Sequence, residues 1–504
     1  MSEETEPLRI AVRFPSYASA HWRERCLAGL AAAGHVEIGS LSAASVANQA
    51  DLILDCSTQP PDPHLLGSRK KLGYWTFAYG EQPERIEPGL QEFLAGGRAA
   101  YARLIRLDHP DGGTVLREGA VKTVSHSLKA TRTRLLEAIV DWPGRVLQEL
   151  LQGRQDATPS TVRLGRRGVL ARLLLYGEIP FACVRNILTR LALEITREHW
   201  AVGVIAAPVQ DVCRSFNPTQ IRWLPAPPDG FLADPFGREL ADGTVVILAE
   251  ALSWQDGRGR IVAFELRPDD TLSAPREVID FSTHASYPHL IDHEGGIYCI
   301  PETLAQRRVQ LFKADPFPHR WVPDAVLLED FPGADATVVH YNGRWWMFVG
   351  NHDDQDETKL FIFHASDLRG PWLPHAANPV KCDLRSARSA GPLFVMDGDL
   401  YRPAQDCATQ YGGAVVVNKI QRLTPTEFVE HPATRLVPAA QGPYPDGLHT
   451  LSAAGKMTLV DGKRHVLTVG ALLARARSLV RRRHRQLESG TPPNVTRKAA
   501  ERNT

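Results

Sequence analysis

Acidic and imidazole side chains recur at matching places in the second half of this 504-residue sequence. Asp234, Glu302 and Asp335 fall in three successive segments and have the right chemistry for glycosidic bond cleavage. That reaction needs one carboxylic acid to protonate the leaving oxygen and a second carboxylate as base or nucleophile. A third acidic group raises the pKa of the acid, since like charges disfavour ionisation. Asp234 is read as the base, Glu302 as the acid and Asp335 as the tuning and orienting group. Glu250, His289, Asn351, Arg402, Gln405, Asp406 and His449 are the candidate substrate-binding residues. Within YRPAQD, Arg402 and Asp406 are able to grip hydroxyls or an anion in bidentate fashion. The same residues also fit a structural ring, in which the carboxylates pair with Arg388 and Arg402 and the histidines are satisfied core groups. Asp and His spacing defines no metal set, and no cofactor is expected.

The elements that position these residues repeat. ADPFGRELADGTVVILAE (233–250), SYPHLIDHEGGIYCIPE (286–302), ADATVVHYNGRWWMFVGN (334–351), AGPLFVMDGDLYRPAQD (390–406) and LHTLSAAGKMTLVDG (448–462) each read as strand, tight polar turn, strand. With Asp234, Tyr287, Asp335, Gly391 and His449 equivalent, successive spacings are 53, 48, 56 and 58 residues. These are close to the length of a four-stranded propeller blade. Five such units close radially around a channel. In a hairpin the second strand returns to the end where the first began, so the candidate residues gather around one mouth. Trp345 and Trp346 point to opposite faces of their strand, and packing between blades is the expectation for both.

Ahead of the repeats the texture differs. RIAVRF and DLILDC read as buried strands with a helical run between them, the pattern of a parallel α/β layer. RTRLLEAIVDWPGRVLQELLQG has helical spacing on either side of Pro143. The expectation is a multidomain α/β plus all-β chain: a Rossmann-like domain over 1–155, a helical linker over 156–199, a five-bladed β-propeller over 200–470 and a basic disordered tail over 471–504. A net charge of +1 argues against a dedicated nucleic-acid binder. Seven scattered cysteines without a CxxC pair fit reduced thiols. With no signal peptide and no transmembrane segment legible, a cytoplasmic location is expected.

The motifs ADPF, SYPHL…IPE, DATVV…GRWWMF, AGPL…LYRPAQD…YGG and LHTLS…VDG resemble the N-terminal propeller domain of the glucosamine inositolphosphorylceramide transferases. That domain is similar in turn to the five-bladed propellers of family 43, 32 and 68 glycoside hydrolases. The resemblance covers about residues 200–465. It implies a glycan or glycoconjugate as ligand, bound or hydrolysed, with Asp234 and Asp335 matching acidic positions of the hydrolases. It equally implies a non-catalytic recognition or scaffold module serving a partner glycosyltransferase. Transferase activity itself does not carry over, being ascribed in the plant proteins to a separate C-terminal domain. RIAVRF, DLILDC, LGYWTFAYGE and LREGAVKTVSHS resemble a formyltransferase-type domain. That resemblance implies a degenerate copy, or failing that formyl or acyl transfer: His126 and Asp141 occur in the region, but the Asn-His pair of such enzymes does not.

Overall fold

The protein is described by a computed structural model covering residues 6–467, apart from 43, 60, 67–69, 155–159, 166–168 and 194–195. The expected basic tail lies outside the described residues.

Short apolar runs at the start of the chain become the centre of a seven-stranded sheet. Leu8–Arg13 lies between Val36–Ser40 and Leu52–Asp55, and Gly73–Tyr79 follows on the outside, all four parallel. Ala99–His109, Gly112–Lys122 and Thr161–Arg163 extend the sheet antiparallel. Helices Ala20–Ala31, Leu128–Ile139 and Trp142–Leu151 cover it, burying Trp22, Leu30, Leu135 and Ile139 against Ile10, Leu54 and Trp75. Pro143 does not kink one long helix. It sits in the first turn of the second helix, where its missing N–H leaves no bond unmade.

From Thr196 to Leu467 the chain forms a five-bladed β-propeller. Four blades are built in chain order from the first four repeats, beginning with strands Gly230–Glu239, Ser286–His293, Gly333–Tyr341 and Phe394–Met396. Blade five combines the two ends of the propeller: Leu451–Ala454 and Met457–Leu467 are completed by Thr196–Ile205 and Arg222–Trp223. Residues 196–199, expected in the linker, thus form part of a strand of the ring.

Strand alternation gives every blade two apolar faces, and an apolar cluster fills each junction. Val245 and Ile247 face blade five while Val246 and Leu248 face blade two. Trp345 packs toward blade two and Trp346 toward blade four, so both tryptophans are interblade packing.

The sheet domain rests on the propeller through polar contacts. The Leu384 amide donates to the Ala120 carbonyl at 2.7 Å and Arg98 Nε to the Cys407 carbonyl at 2.9 Å. Arg145 donates to the carbonyls of Ala377 and Pro379, and Glu357 of the propeller pairs with both Arg98 and Lys122.

Candidate functional site

The innermost strands of blades one, two and three share a defect. Their pairing slips between Ala233 and Phe236, Ser286 and His289, and Ala334 and Thr337. Within each slip one residue is left-handed: Asp234 (φ 51°), Tyr287 (φ 47°) and Asp335 (φ 50°), with Gly391 (φ 130°) at the matching place in blade four. Such bulges re-aim a side chain, and each non-glycine residue held this way costs about 1–3 kcal/mol. Here they turn two carboxylates and a phenol toward the axis of the ring.

Tyr287 ties the blades together. Its amide donates to Asp234 Oδ2 at 3.3 Å, its hydroxyl lies 2.8 Å from Thr337 Oγ1, and it accepts the Gly391 amide at 2.8 Å.

The other partners of Asp234 come from blade five. Asp461 Oδ2 accepts the Asp234 amide at 3.1 Å and lies 2.6 Å from His449 Nδ1, whose Nε2 is 3.5 Å from Asp234 Oδ1. Thr450 Oγ1 donates to the same Asp234 oxygen at 3.1 Å. Burial opposes ionisation of all three acid–base groups. Asp234 is pushed up to about 6 by burial, with His449 pulling down and Asp335 and Asp461 pushing up. In Asp461 burial is overcome by His449 and by backbone hydrogen bonds, and the pKa falls below the usual carboxylate range. In His449 burial is overcome by Asp461 and Asp234, and the pKa rises. Trp200 stacks on the imidazole at 3.9 Å between ring centroids. Asp234, His449 and Asp461 are close enough to hold a metal ion, but the ion pair between His449 and Asp461 already accounts for their approach.

On the other side of the ring, Arg388 organises the acids. Its Nε donates to Asp335 Oδ2 at 2.6 Å, one terminal nitrogen reaches Glu302 Oε2 and Asp335 Oδ1 at 3.3 Å, and the other reaches Asp356 at 3.1 Å. Glu302 is engaged at both oxygens, accepting from the Ser286 hydroxyl at 3.2 Å and the Asp335 amide at 3.0 Å. Gln405 Nε2 donates to Asp335 Oδ2 at 3.0 Å. Burial lifts Asp335 to about 7, with Arg388 holding it down and Glu302 adding to the rise.

Glu250 lies within the second strand of blade one, Val245–Ser253, and stands between these groups. Burial, reinforced by Asp234, Glu302, Asp335 and Asp461, raises its pKa well above the usual carboxylate range. His284, 44% exposed, lies 3.4 Å from it and leads to solvent.

Of the residues read from the sequence, Asp234, Glu250, Glu302, Asp335, Gln405 and His449 come together. The others lie elsewhere. His289 Nε2 accepts the Val338 amide at 3.1 Å between blades two and three, and burial depresses its pKa to about 4. Asn351 accepts the Asp353 amide at a single helical turn. Arg402, fully buried, pairs with Glu430 at 2.5 Å and with the carbonyls of Ser386 and Ala387. Asp406 pairs with Arg435 at 3.0 Å. The sequence reading missed Asp461, and named Arg388 only as a structural partner. A signal for Asp461 exists in retrospect: like Glu302, it is a second-strand carboxylate that accepts the bulge amide of the next blade.

Residues 174–441 match the family described as glucosamine inositolphosphorylceramide transferase 1, N-terminal. The chain belongs to this family. Plant relatives include the glucosamine inositolphosphorylceramide transferase 1 of Oryza sativa subsp. japonica, 35% identical over 211 residues, which are 41% of this chain and 28% of that protein. That of Arabidopsis thaliana is 32% identical over 287 residues, 55% of this chain and 36% of that protein. The match thus spans about a third of the plant proteins. Among solved structures, the chain is similar to a family 117 glycoside hydrolase of Zobellia galactanivorans (12% identity, TM-score 0.34, 48% of this chain and 86% of that one). It is also similar to a thermostable family-43 glycoside hydrolase (13% identity, TM-score 0.31, 42% and 78%).

Proposed function

We propose that this family member is carbohydrate-active, binding a glycan or the headgroup of a glycoconjugate at the propeller mouth. The observation that carries this reading is the left-handed bulge repeated at Asp234, Tyr287 and Asp335. Strain kept at one place in three blades is a feature of functional sites. The names of the plant relatives guide the first ligands to try, which are sugars and inositol phosphates bearing a glucosamine unit.

If the mouth is hydrolytic, Asp234 is the base and Asp335 the orienting group. The acid role fits Glu250 better than Glu302. Glu302 is tied at both oxygens by Ser286, Asp335 and Arg388, whereas Glu250 has its pKa raised by burial and the neighbouring acids and lies beside a route to solvent. Asp234→Asn and Glu250→Gln should each abolish release of sugar from an oligosaccharide panel while leaving circular dichroism unchanged. Full turnover by Asp234→Asn rules out the assignment.

A second reading, a non-catalytic recognition module serving a glycosyltransferase, is favoured by the ion pairs that already occupy Asp335, Glu302 and Asp234. It predicts saturable oligosaccharide binding with no product and no loss on Asp234→Asn. The formyltransferase-like reading of residues 1–155 rests on its motif resemblance, with the four parallel strands compatible with it. The described residues contain no helix long and apolar enough to cross a membrane. A cytoplasmic setting is part of the proposal, supported by seven free cysteines.

A further inference from the structure

Helix Val169–Leu193 is apolar on two opposite sides. One side, with Leu175, Ile179, Ala182 and Asn186, docks on the sheet domain, where Asn186 donates to the Phe93 carbonyl at 3.0 Å. The other side leaves Leu174 (64%), Phe181 (79%), Val184 (59%) and Leu188 (60%) exposed. At 3.6 residues per turn these four fall within about a quarter of the circumference, so they form one continuous stripe. Tyr176 and Ile187 are exposed along one flank of it. Isolated surface leucines need no explanation, but a contiguous apolar stripe marks an interaction surface.

Charge identifies the occupant. The helix carries Arg172, Arg185 and Arg190 against the single acid Glu178. The Leu467–Thr196 pair brings the chain out of the propeller three residues past the end of this helix. Residues 468–504, which begin there, contain nine Lys and Arg against two Glu, a net charge of +7 in a chain whose total is +1. Both the helix and this segment of the sequence are therefore cationic. Like charges oppose packing of the one on the other, and both are attracted to an anionic surface.

We propose that helix Val169–Leu193 is a membrane-surface anchor, lying in the interface of an anionic bilayer with Leu174, Phe181, Val184 and Leu188 inserted. Arg172, Glu178, Pro180, Arg185 and Arg190 interrupt it too often for it to cross. This inference is independent of the glycan reading and concerns a different face of the molecule.

The test is co-sedimentation of the full chain with vesicles of phosphatidylcholine alone or with about a third phosphatidylserine. Binding to the anionic vesicles only, weakened by raised salt, is expected. Phe181→Glu combined with Leu188→Glu should weaken it at least about a hundredfold, because each inserted large side chain is worth about tenfold or more. Both residues are exposed, so the variant should keep the wild-type circular dichroism. Absence of binding by the wild type overturns the proposal. So does undiminished binding by the double variant, which would assign the attraction to the basic segment alone. A wild-type dimer that the double variant converts to a monomer, without vesicle binding, overturns it in favour of a second copy of the chain.

Discussion

Replacing Arg388 by Met removes the cation that Asp335 and Glu302 share, without opening a large cavity. In the intact protein Asp335 titrates near 7, against about 4 in an unfolded chain. A carboxyl raised in this way destabilises nothing below about pH 4. Its cost grows as pH climbs toward 7 and is constant beyond that. Without the guanidinium the folded pKa rises further, and the cost keeps growing above pH 7 by about 1.4 kcal/mol per pH unit. The variant should therefore differ least from the wild type near pH 5, where Asp335 holds its proton in both. Near pH 9 the difference should reach about 3–5 kcal/mol, the usual result of stripping one partner from a buried ion pair. At about 2–4 °C per kcal/mol, that is a fall in Tm of roughly 10 °C at pH 9 and of only a few degrees at pH 5. Thermal unfolding followed by tryptophan fluorescence reads it. A Tm difference that is the same at both pH values, or smaller than about 2 °C at pH 9, refutes the claim that Arg388 balances these acids.

Two further perturbations probe the frame of the site. Gly391→Ala places a Cβ 2.0 Å from the Leu451 carbonyl oxygen on a backbone at φ 130°, so a loss of about 3 kcal/mol or more is expected in chemical denaturation. Glu357→Gln weakens the pairs with Arg98 and Lys122, and should speed hydrogen exchange in Ala99–His109 and Gly112–Lys122 while leaving the inner propeller strands protected.

Much of the ring was legible because its information is local. Each repeat carries its own turn and its own alternation, and the register that aligned Asp234, Tyr287, Asp335 and Gly391 picked out four residues that all prove to have positive φ. The site was less legible because its partners cross between blades. Arg388 lies outside any hairpin, and nothing near it in sequence says which acids it meets. Asp461 precedes Gly462 and looks like a turn dipeptide, yet both lie inside strand Met457–Leu467, where a Cβ on Gly462 would strike Trp223. Arg402 reads as a ligand-gripping group only until Glu430, 28 residues on, is seen beside it.

The join that completes blade five governs how the protein is made. During synthesis Ile205 waits for its partner Thr458, 253 residues later, roughly 13–50 s at ordinary translation rates. Val202 and Val204 lack their finished junction for that whole interval, so the clasp is the step most exposed to aggregation. Cutting the chain has the same effect permanently. A fragment ending at residue 441, the edge of the family match, would lack His449 and Asp461 and would leave Asp234 without its blade-five partners. Such a fragment would misreport both the stability and the acid–base chemistry of the ring.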